Sequence, residues 1–295
     1  MATNNLMYQF KTANVLIKLI VINALVWIGF TLLDWILGYP GGALEQWFSL
    51  PSSFNYFITQ PWSIVTYAFF HEGFWHIFWN MMVLYWFGNI VLNLFAEKRF
   101  LTIYFLGAIA GGLFYMLSYN VFPVLIKSNA ILIGASAAVT AIMIFIAAYT
   151  PNTEVRVIFF NVKLWQIGLF VVLVDLVQIP NSANAGGLLS HLGGAIFGYV
   201  YALQLGKGND IGLWWERMID SFASYFKKKE KTANMKTVYR NRNATASRPA
   251  RNSNDMSKNE QQRKIDDILD KISKSGYESL SKQEKDFLFK AGKEN

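Results

Sequence analysis

Four side chains that could perform hydrolysis lie in or at the edge of long apolar stretches of this chain. They are Ser136 and the three histidines His71, His76 and His191. Ionisable groups at membrane depth are costly, so they indicate a functional site that faces a protected or wet interior. A serine hydroxyl becomes a nucleophile when a neighbouring base accepts its proton, and imidazole has a suitable pKa. We therefore predict an intramembrane serine hydrolase, with Ser136 as nucleophile and His191 as the general base that later protonates the leaving amine.

A developing oxyanion needs hydrogen-bond donors that are already in place. His76 and Asn80 are spaced i, i+4 and share one helical face, so both could point at one oxygen. The backbone N–H of Ser136, beside Gly134 at a helix start, could add a third donor. His71 is expected to lie at the water interface, with a supporting role at most.

These residues also have less specific interpretations. A lone serine in a membrane helix commonly hydrogen-bonds backbone or packs at a helix interface, and GASAA at 134–138 is a good packing face. A zinc site is disfavoured, because the HExxH motif needs histidines four apart, whereas His71 and His76 are five apart. Asp175 is expected to cap or pair near the outer end of its span. We predict no metal and no cofactor.

Six apolar stretches are candidates for the helices that position these groups, since about 20 apolar residues cross a bilayer. They span about residues 14–37, 74–95, 100–120, 134–150, 157–178 and 186–205. The fourth is short for a full span, which suits a helix whose start is recessed below the outer surface. The first is expected to be a retained span and not a signal peptide, because it is long and contains Asp34.

The placement of lysine and arginine predicts that both termini are cytoplasmic. In that orientation the inner side receives Lys98, Arg99, Arg156 and the basic tail, while the outer side keeps Lys127 alone. The predicted nucleophile, base and oxyanion donors then all lie at the outer ends of their spans. Water can reach a scissile bond there.

The composition also favours a membrane protein, with 53% hydrophobic and only 16% charged residues. The formal charge of +8 belongs to the tail: residues 1–205 carry seven Lys/Arg against six Asp/Glu, and residues 206–295 carry twenty against thirteen. This distribution favours an anionic lipid surface as partner of the basic tail, and no aromatic-interleaved basic motif supports nucleic-acid binding. The absence of cysteine excludes disulfides and cysteine nucleophiles.

The sequence divides into four segments. Residues 1–205 form the membrane domain, in which the aromatic-rich connection 38–73 is expected to lie partly in the outer leaflet. Residues 206–229 predict an amphipathic juxtamembrane helix, and residues 230–258 a disordered linker. Residues 259–295 regain helical periodicity and predict a small helical hairpin module, with Ser281 and Glu284 at capping-box spacing.

Three motifs resemble those of the rhomboid family of intramembrane serine proteases. They are HEGFWHIFWN at 71–80, GASA at 134–137 and HLGGAIFG at 191–198. The resemblance covers residues about 10–205 and implies an all-α membrane protein, a six-transmembrane-helix bundle with a cytoplasmic C-terminal tail. It also implies a water-filled cavity open to the outer side and a Ser–His dyad with no acidic third member. Gly194 and Gly198 would let the sixth helix approach the fourth.

Four positions depart from the family pattern. Ala137 stands in the last place of GxSG, and Thr140 stands where many members carry an aromatic residue that supports the catalytic histidine. Ser63 replaces an arginine after Trp62, and Leu92 replaces a glutamate. These changes affect the anchoring of the first connection and the support of the histidine. Reduced activity or a narrow substrate range is therefore a hypothesis.

The predicted function is cleavage of single-span membrane proteins within or just outside the bilayer on its outer side. The alternative is a non-catalytic rhomboid-like protein that binds membrane clients for folding or quality control, although such proteins usually lack the serine or the histidine. A six-helix transporter or channel would show broken midspan segments or inverted repeats, which the sequence lacks. The tail resembles a module that follows many bacterial rhomboids, which predicts the bacterial inner membrane as location. The sequence predicts no substrate identity and no oligomeric state.

Overall fold

The structure is a computed structural model that describes residues 6–39, 42–126, 129–157, 159–226 and 258–292. The chain forms two compact units, residues 1–229 and 230–295. The described part of the first unit contains the helices α1 Leu6–Thr12, α2 Val15–Leu37, α3 Phe54–Thr59, α4 Ser63–Thr66, α5 Phe74–Leu94, α6 Glu97–Val121, α7 Ser136–Tyr149, α8 Leu164–Gln178, α9 Ala185–Gly206 and α10 Leu213–Phe226. Its strands are β1 Leu50–Pro51, β2 Ile131–Leu132, β3 Glu154–Val157 and β4 Phe160–Lys163.

Five of these helices, α2, α5, α6, α8 and α9, are long and apolar enough to cross a membrane within the described residues. The prediction of a helical, multi-pass membrane bundle is therefore confirmed. Helix α7 is also apolar but has only 14 residues, about 21 Å of helix against a hydrocarbon core of about 30 Å. A sixth crossing by α7 stays a prediction, as does the cytoplasmic side of the tail.

Helix α7 is the centre of the bundle. Its residues Ala137 to Ala147 are all buried, and it packs on α5, α6, α8 and α9. A Cβ on Gly194 would overlap the carbonyl oxygen of Ala137, and one on Gly198 would overlap that of Ala141. Since lipid is as apolar as leucine, close packing and not the hydrophobic effect holds such helices together. In α2 and α8, by contrast, only 17% of the most apolar stretch is buried.

The predicted fifth span, 157–178, is wrong at its start. Strands β3 and β4 form an antiparallel hairpin there, and the helix begins only at Leu164. The hairpin register places Glu154 opposite Lys163 and Val155 opposite Val162, so that opposite charges and branched apolar side chains pair across the strands. The alternation of polar and apolar residues from Glu154 onward is a strand signal, which the apolar run after it obscured.

The connection between α2 and α5 is tied to the segment that precedes α7. Strand β1 pairs antiparallel with β2, with Leu50 opposite Leu132. The Ser52 N–H donates to the carbonyl of Ala130 at 2.9 Å, and the Asn120 amide of α6 donates to the Ser52 carbonyl at 2.9 Å. A distant part of the chain therefore holds the start of α7. The location of this connection in the outer leaflet stays a prediction.

An ion pair fixes the turn before α10 to the start of α6. Arg99 pairs with Asp210, which also accepts hydrogen bonds from the Tyr201 hydroxyl at 2.8 Å and the Gly212 N–H at 3.0 Å. Burial alone would raise the pKa of Asp210, but these hydrogen bonds and the Arg99 charge outweigh burial and hold the pKa below its usual value. Helix α10 lies within the segment 206–229, for which a juxtamembrane helix is predicted.

The described part of the second unit contains two helices, α11 Lys258–Ser275 and α12 Lys282–Ala291. The predicted capping box is present at the start of α12. The Ser281 N–H donates to Glu284 Oε2 at 2.7 Å, and the Glu284 N–H donates to Ser281 Oγ at 3.3 Å. Lys271 of α11 pairs with Glu284 at 2.9 Å and so joins the two helices.

Parts of the predicted tail lie outside the described residues. They are the end of the juxtamembrane segment (227–229), the linker 230–258 apart from Lys258, and the last three residues of the hairpin module (293–295).

Candidate active site

Ser136 is the first residue of α7 and follows a turn that requires glycine. Gly134 has a φ of 122°, a conformation that residues with a side chain rarely adopt. A Cβ at this position would lie 2.7 Å from His76 Nε2 and 3.7 Å from Ser136 Oγ. The histidine ring of α5 and the serine hydroxyl of α7 therefore both lie beside this glycine. A larger residue would displace the ring.

The hydrogen bonds of His76 determine which ring nitrogen carries its proton. Its Nδ1 accepts the backbone N–H of Glu72 at 3.4 Å, so the neutral ring is protonated at Nε2. Nε2 is the atom beside Gly134, where it can donate to an oxygen bound near Ser136. Asn80, one turn further along α5, donates one amide hydrogen to the His76 carbonyl at 2.9 Å. The second amide hydrogen remains available for a ligand.

His71 contacts the residue before Ser136 and does not line the cavity described below. The expectation that it lies at the water interface is wrong, because the residue is only 1% exposed. Its Nε2 accepts the N–H of Ala135 at 3.4 Å, and its ring lies 5.1 Å from the ring of His76. Burial, and then the charge of His76, lowers the pKa of His71 to about 3. At neutral pH the ring is therefore uncharged and able to accept.

His191 lies near the start of α9, which follows the cap residue Asn184. Its Nδ1 lies 3.1 Å from Oδ2 of Asp175, a residue of α8. If Nδ1 carries the proton and donates it to the carboxylate, Nε2 keeps the lone pair that a general base requires. The resemblance implied a dyad with no acidic partner. The structure adds a carboxylate in contact with the histidine.

One cavity of about 540 Å³ brings the predicted groups together. It is lined by Trp75, His76, Trp79, Asn80, Val83, Ile133, Ser136, Val139, Thr140, Met143, Val171, Asp175, Asn184, Gly187 and His191. Within the described residues, the structure has no hydrogen bond between the hydroxyl of Ser136 and His191. Catalytic hydrogen bonds are often long in ligand-free structures and tighten when substrate binds. Gly194 and Gly198 lie outside the cavity, at the contact of α9 with α7.

Sequence reasoning missed two contacts around the site. The carbonyl of Tyr67 accepts the N–H of Gly134 at 3.0 Å, and its hydroxyl donates to the Ala108 carbonyl at 2.7 Å, so this buried side chain ties the turn to α6. A tyrosine in an aromatic-rich segment carries no signal of such a role. The contact of Asp175 with His191 did have a signal, because a carboxylate within an apolar helix needs a partner.

The first connection is anchored although Ser63 stands where the resemblance implies arginine. The Trp62 indole N–H donates to the Trp47 carbonyl at 2.8 Å, and the Thr66 hydroxyl donates to the Phe48 carbonyl at 2.8 Å. Ser63 itself is buried. Side chains on either side of position 63 thus hold this connection.

The packing accommodates the other three departures. Ala137 is fully buried at the contact with Gly194, and Leu92 packs against the apolar core. Thr140 is 6% exposed and lines the cavity. No aromatic ring contacts His191 within the described residues. The support of His191 therefore differs from what the resemblance implies.

A search of protein-family models matches two parts of the chain. A model described as Rhomboid domain matches residues 59–208, half of the chain, and this range contains every residue that lines the cavity. A model described as a family of unknown function (DUF6576) matches residues 253–291.

Three curated proteins are similar to part of this chain. RHOMBOID-like protein 12, mitochondrial, of Arabidopsis thaliana is 30% identical over 158 residues, 50% of this chain and 47% of that protein. Rhomboid protein 1, mitochondrial, of Saccharomyces cerevisiae is 27% identical over 153 residues, which are 51% of this chain and 44% of that protein. Rhomboid-like protein 16, chloroplastic, of Arabidopsis thaliana is 25% identical over 171 residues, 53% of each. The chain thus spans about half the length of the curated relatives that it matches.

Proposed function

Because the chain belongs to the rhomboid family, we propose that it is an intramembrane serine protease that cleaves single-span membrane proteins. Support comes above all from one observation: Ser136, His191, His76 and Asn80 line the same cavity. These four side chains come from three helices that are far apart in sequence. Each has the chemical type that its role in peptide hydrolysis requires.

In the proposed reaction Ser136 attacks the carbonyl carbon of the scissile peptide bond. His191 Nε2 accepts the hydroxyl proton as the Oγ–C bond forms, and then delivers it to the leaving nitrogen as the C–N bond breaks. Water, activated by the same imidazole, then hydrolyses the ester on Ser136. The protons taken up and released balance over the cycle, so the chemistry uses only groups of this chain and water.

Three donors would stabilise the oxyanion that forms in each half of the reaction. His76 Nε2 carries a proton because its Nδ1 accepts the Glu72 N–H, and Asn80 keeps one free amide hydrogen. The backbone N–H of Ser136 is the first of α7, and the first N–H groups of a helix have no intrahelical acceptor. Donors fixed before the charge develops lower the barrier without reorganisation.

The cavity walls favour an apolar substrate segment. Trp75, Trp79, Val83, Val139 and Met143 surround the polar groups. A substrate helix must unwind locally before it is cut, because a helical backbone hides its carbonyl groups in hydrogen bonds. Residues that weaken a helix near the cleaved bond would therefore favour cleavage.

The chain is a multi-pass membrane protein. We propose that both termini are cytoplasmic and that the cavity opens to the outer side, because the lysines and arginines outside the spans then lie almost entirely inside. The basic tail would contact anionic lipid. As location we propose the bacterial inner membrane, on the basis of the tail and the simple topology. The names of the curated relatives refer instead to mitochondria and chloroplasts.

A fluorophosphonate probe tests the proposed activity directly, because it labels only an activated serine. We expect the full-length protein in detergent micelles to be labelled, and Ser136→Ala and His191→Ala to lose labelling. Ser118→Ala is the matched control. Ser118 is a serine of another apolar helix of the bundle, but it is buried, its hydroxyl donates to the Phe114 carbonyl at 2.7 Å, and it lies outside the cavity.

Labelling that persists in Ser136→Ala would overturn the assignment of the nucleophile. A wild type that is not labelled, yet retains single-span membrane proteins on co-purification, would instead favour the non-catalytic alternative. Loss of labelling in Ser118→Ala would mean that the assay reports folding and not chemistry.

A further inference from the structure

Asp175 is a carboxylate within an otherwise apolar helix. Asp175 is 8% exposed. It is the one acidic residue of α8, whose sequence is LWQIGLFVVLVDLVQ. A charge in such a position is normally retained only with a partner and for a function. Within the described residues, the one partner of its carboxylate is the ring of His191, at 3.1 Å.

The contact involves the ring nitrogen that does not serve as base. Oδ2 of Asp175 faces Nδ1, and both residues line the same cavity as Ser136. A carboxylate that accepts the Nδ1–H fixes both the tautomer and the rotation of an imidazole, so that Nε2 is presented unprotonated. A carboxylate in this place would therefore act on the reaction through the imidazole that it orients.

The residues around His191 show why a contact at its Nδ1 would matter for the orientation of the ring. Thr140 stands on α7 where the resemblance implies an aromatic residue, and within the described part of the chain no ring stacks on His191. The contact that supports the His191 ring is therefore the polar one between Nδ1 and Asp175, at the ring edge, and not a stacking contact on the ring face. Since α9 is held to α7 by Gly194 and Gly198, only the side-chain torsions of His191 remain to be fixed.

We propose that Asp175 is a positioning residue for the general base: it holds His191 through Nδ1 and completes a Ser–His–Asp arrangement across α7, α9 and α8. This inference rests on the proposed protease function. In soluble enzymes with such an arrangement, replacing the carboxylate by an amide lowers kcat by about 10⁴-fold, because the imidazole takes the wrong tautomer.

The test measures fluorophosphonate inactivation of the full-length protein and separates its maximal rate, kinact, from the concentration for half-maximal rate, KI. We expect Asp175→Asn to lower kinact at least about tenfold, with KI changed less than about twofold, because the wrong tautomer affects reactivity and not binding. Asp175→Glu should recover part of the loss, since it restores the carboxylate. Thermal unfolding of each variant is measured in parallel.

Asp210→Asn is the matched control, because Asp210 is a partly buried, ion-paired aspartate that lies outside the cavity. It should lower thermal stability and leave kinact unchanged. Unchanged kinact in Asp175→Asn with an active wild type overturns the positioning role alone. A fall in kinact that merely accompanies an equal loss of thermal stability, in Asp175→Asn and Asp210→Asn alike, overturns it as well. A wild type that does not react overturns the protease function and the positioning role together.

Discussion

The helices of the first unit are packed in two different ways. Helices α6, α7 and α9 meet through small residues, so closely that a Cβ on Gly194 or Gly198 would overlap backbone of α7. Helices α2 and α8 expose most of their apolar surface, which costs nothing in lipid. Ser136, the proposed nucleophile, and His191, the proposed base, therefore lie on the tightly packed helices. The carboxylate that contacts the base lies on a loosely packed one.

This difference separates two tasks in the fold: the packing of the helices fixes backbone positions, and a contact from a neighbouring helix orients a side chain. Tight contacts fix the backbone positions of Ser136 and His191, because neither α7 nor α9 can move without overlap. The orientation of the His191 ring depends in addition on where α8 holds Asp175. Substitutions in the two groups of helices should consequently have different effects.

The largest effect is expected where α9 meets α7. Gly194→Val would drive two methyl groups into the Ala137 carbonyl, which is buried and unable to yield. We expect destabilisation of about 3 kcal/mol or more, at the upper end of overpacking effects. Gly29→Val, in α2, is the control, since no atom lies within 4 Å of its Cβ position. Equal melting temperatures of the two variants in detergent would refute the distinction between the two groups of helices.

Gly134→Ala should strongly lower the rate of probe labelling, with a smaller loss of stability than Gly194→Val. The new Cβ would displace the ring of His76 and strain a turn at positive φ, so that oxyanion donors are lost together. We expect the labelling rate to fall by about 10³-fold. Gly208→Ala separates strain from chemistry, because Gly208 also has a positive φ, 85°, but no neighbour within 4 Å. Its labelling rate should match that of the wild type.

Asn80→Ala should lower the labelling rate by about 10²-fold, since loss of one oxyanion donor typically has this effect. Asn89→Ala is matched to it on the same helix. Both side chains donate to the carbonyl four residues earlier, but Asn89 is outside the cavity and bonds to Tyr85. If both variants retain full activity, Asn80 is a helix-packing residue and not a donor.

The smallest effect concerns apolar packing itself. Ile142 in α7 is fully buried, so Ile142→Val should cost about 1 kcal/mol through the cavity that it leaves. Ile28 in α2 is 45% exposed, and Ile28→Val should stay within about 0.5 kcal/mol. Thermal unfolding of both variants measures the difference. Equal losses would show that α2 is packed as tightly as the centre of the bundle.

The sequence predicted the groups of the cavity better than the contacts between them. Ser136, His191, His76 and Asn80 could be identified because each carries its chemistry in its residue type and each stands at a defined spacing in an apolar stretch. A carboxylate within an apolar helix needs a partner, so a contact of Asp175 could be predicted. Its partner His191 could not be identified, because that contact depends on how α8 and α9 are aligned through the turn between them. No pattern within either helix encodes that alignment.

The sequence also predicted the ends of some helices better than those of others. Apolar length predicted the long spans to within a few residues, because the hydrocarbon thickness sets that length. It failed at 157–163, where a short apolar run belongs to a hairpin. The alternation Glu154, Val155, Arg156, Val157 was the better guide there, since residues of a strand point to opposite faces in turn. Where a loop adjoins a span, residue periodicity should therefore be given more weight than mean hydropathy in predicting where the helix begins.

The shortness of α7 sets a depth for the bond that the proposed protease would cleave. In the proposed orientation α7 runs inward from Ser136, so if its last residue lies at the inner face of the hydrocarbon core, its 14 residues place Ser136 about 9 Å below the outer face. That distance corresponds to about six residues of a helical substrate. Substrates should thus be recognisable by glycine or proline about one and a half turns inside their apolar segment.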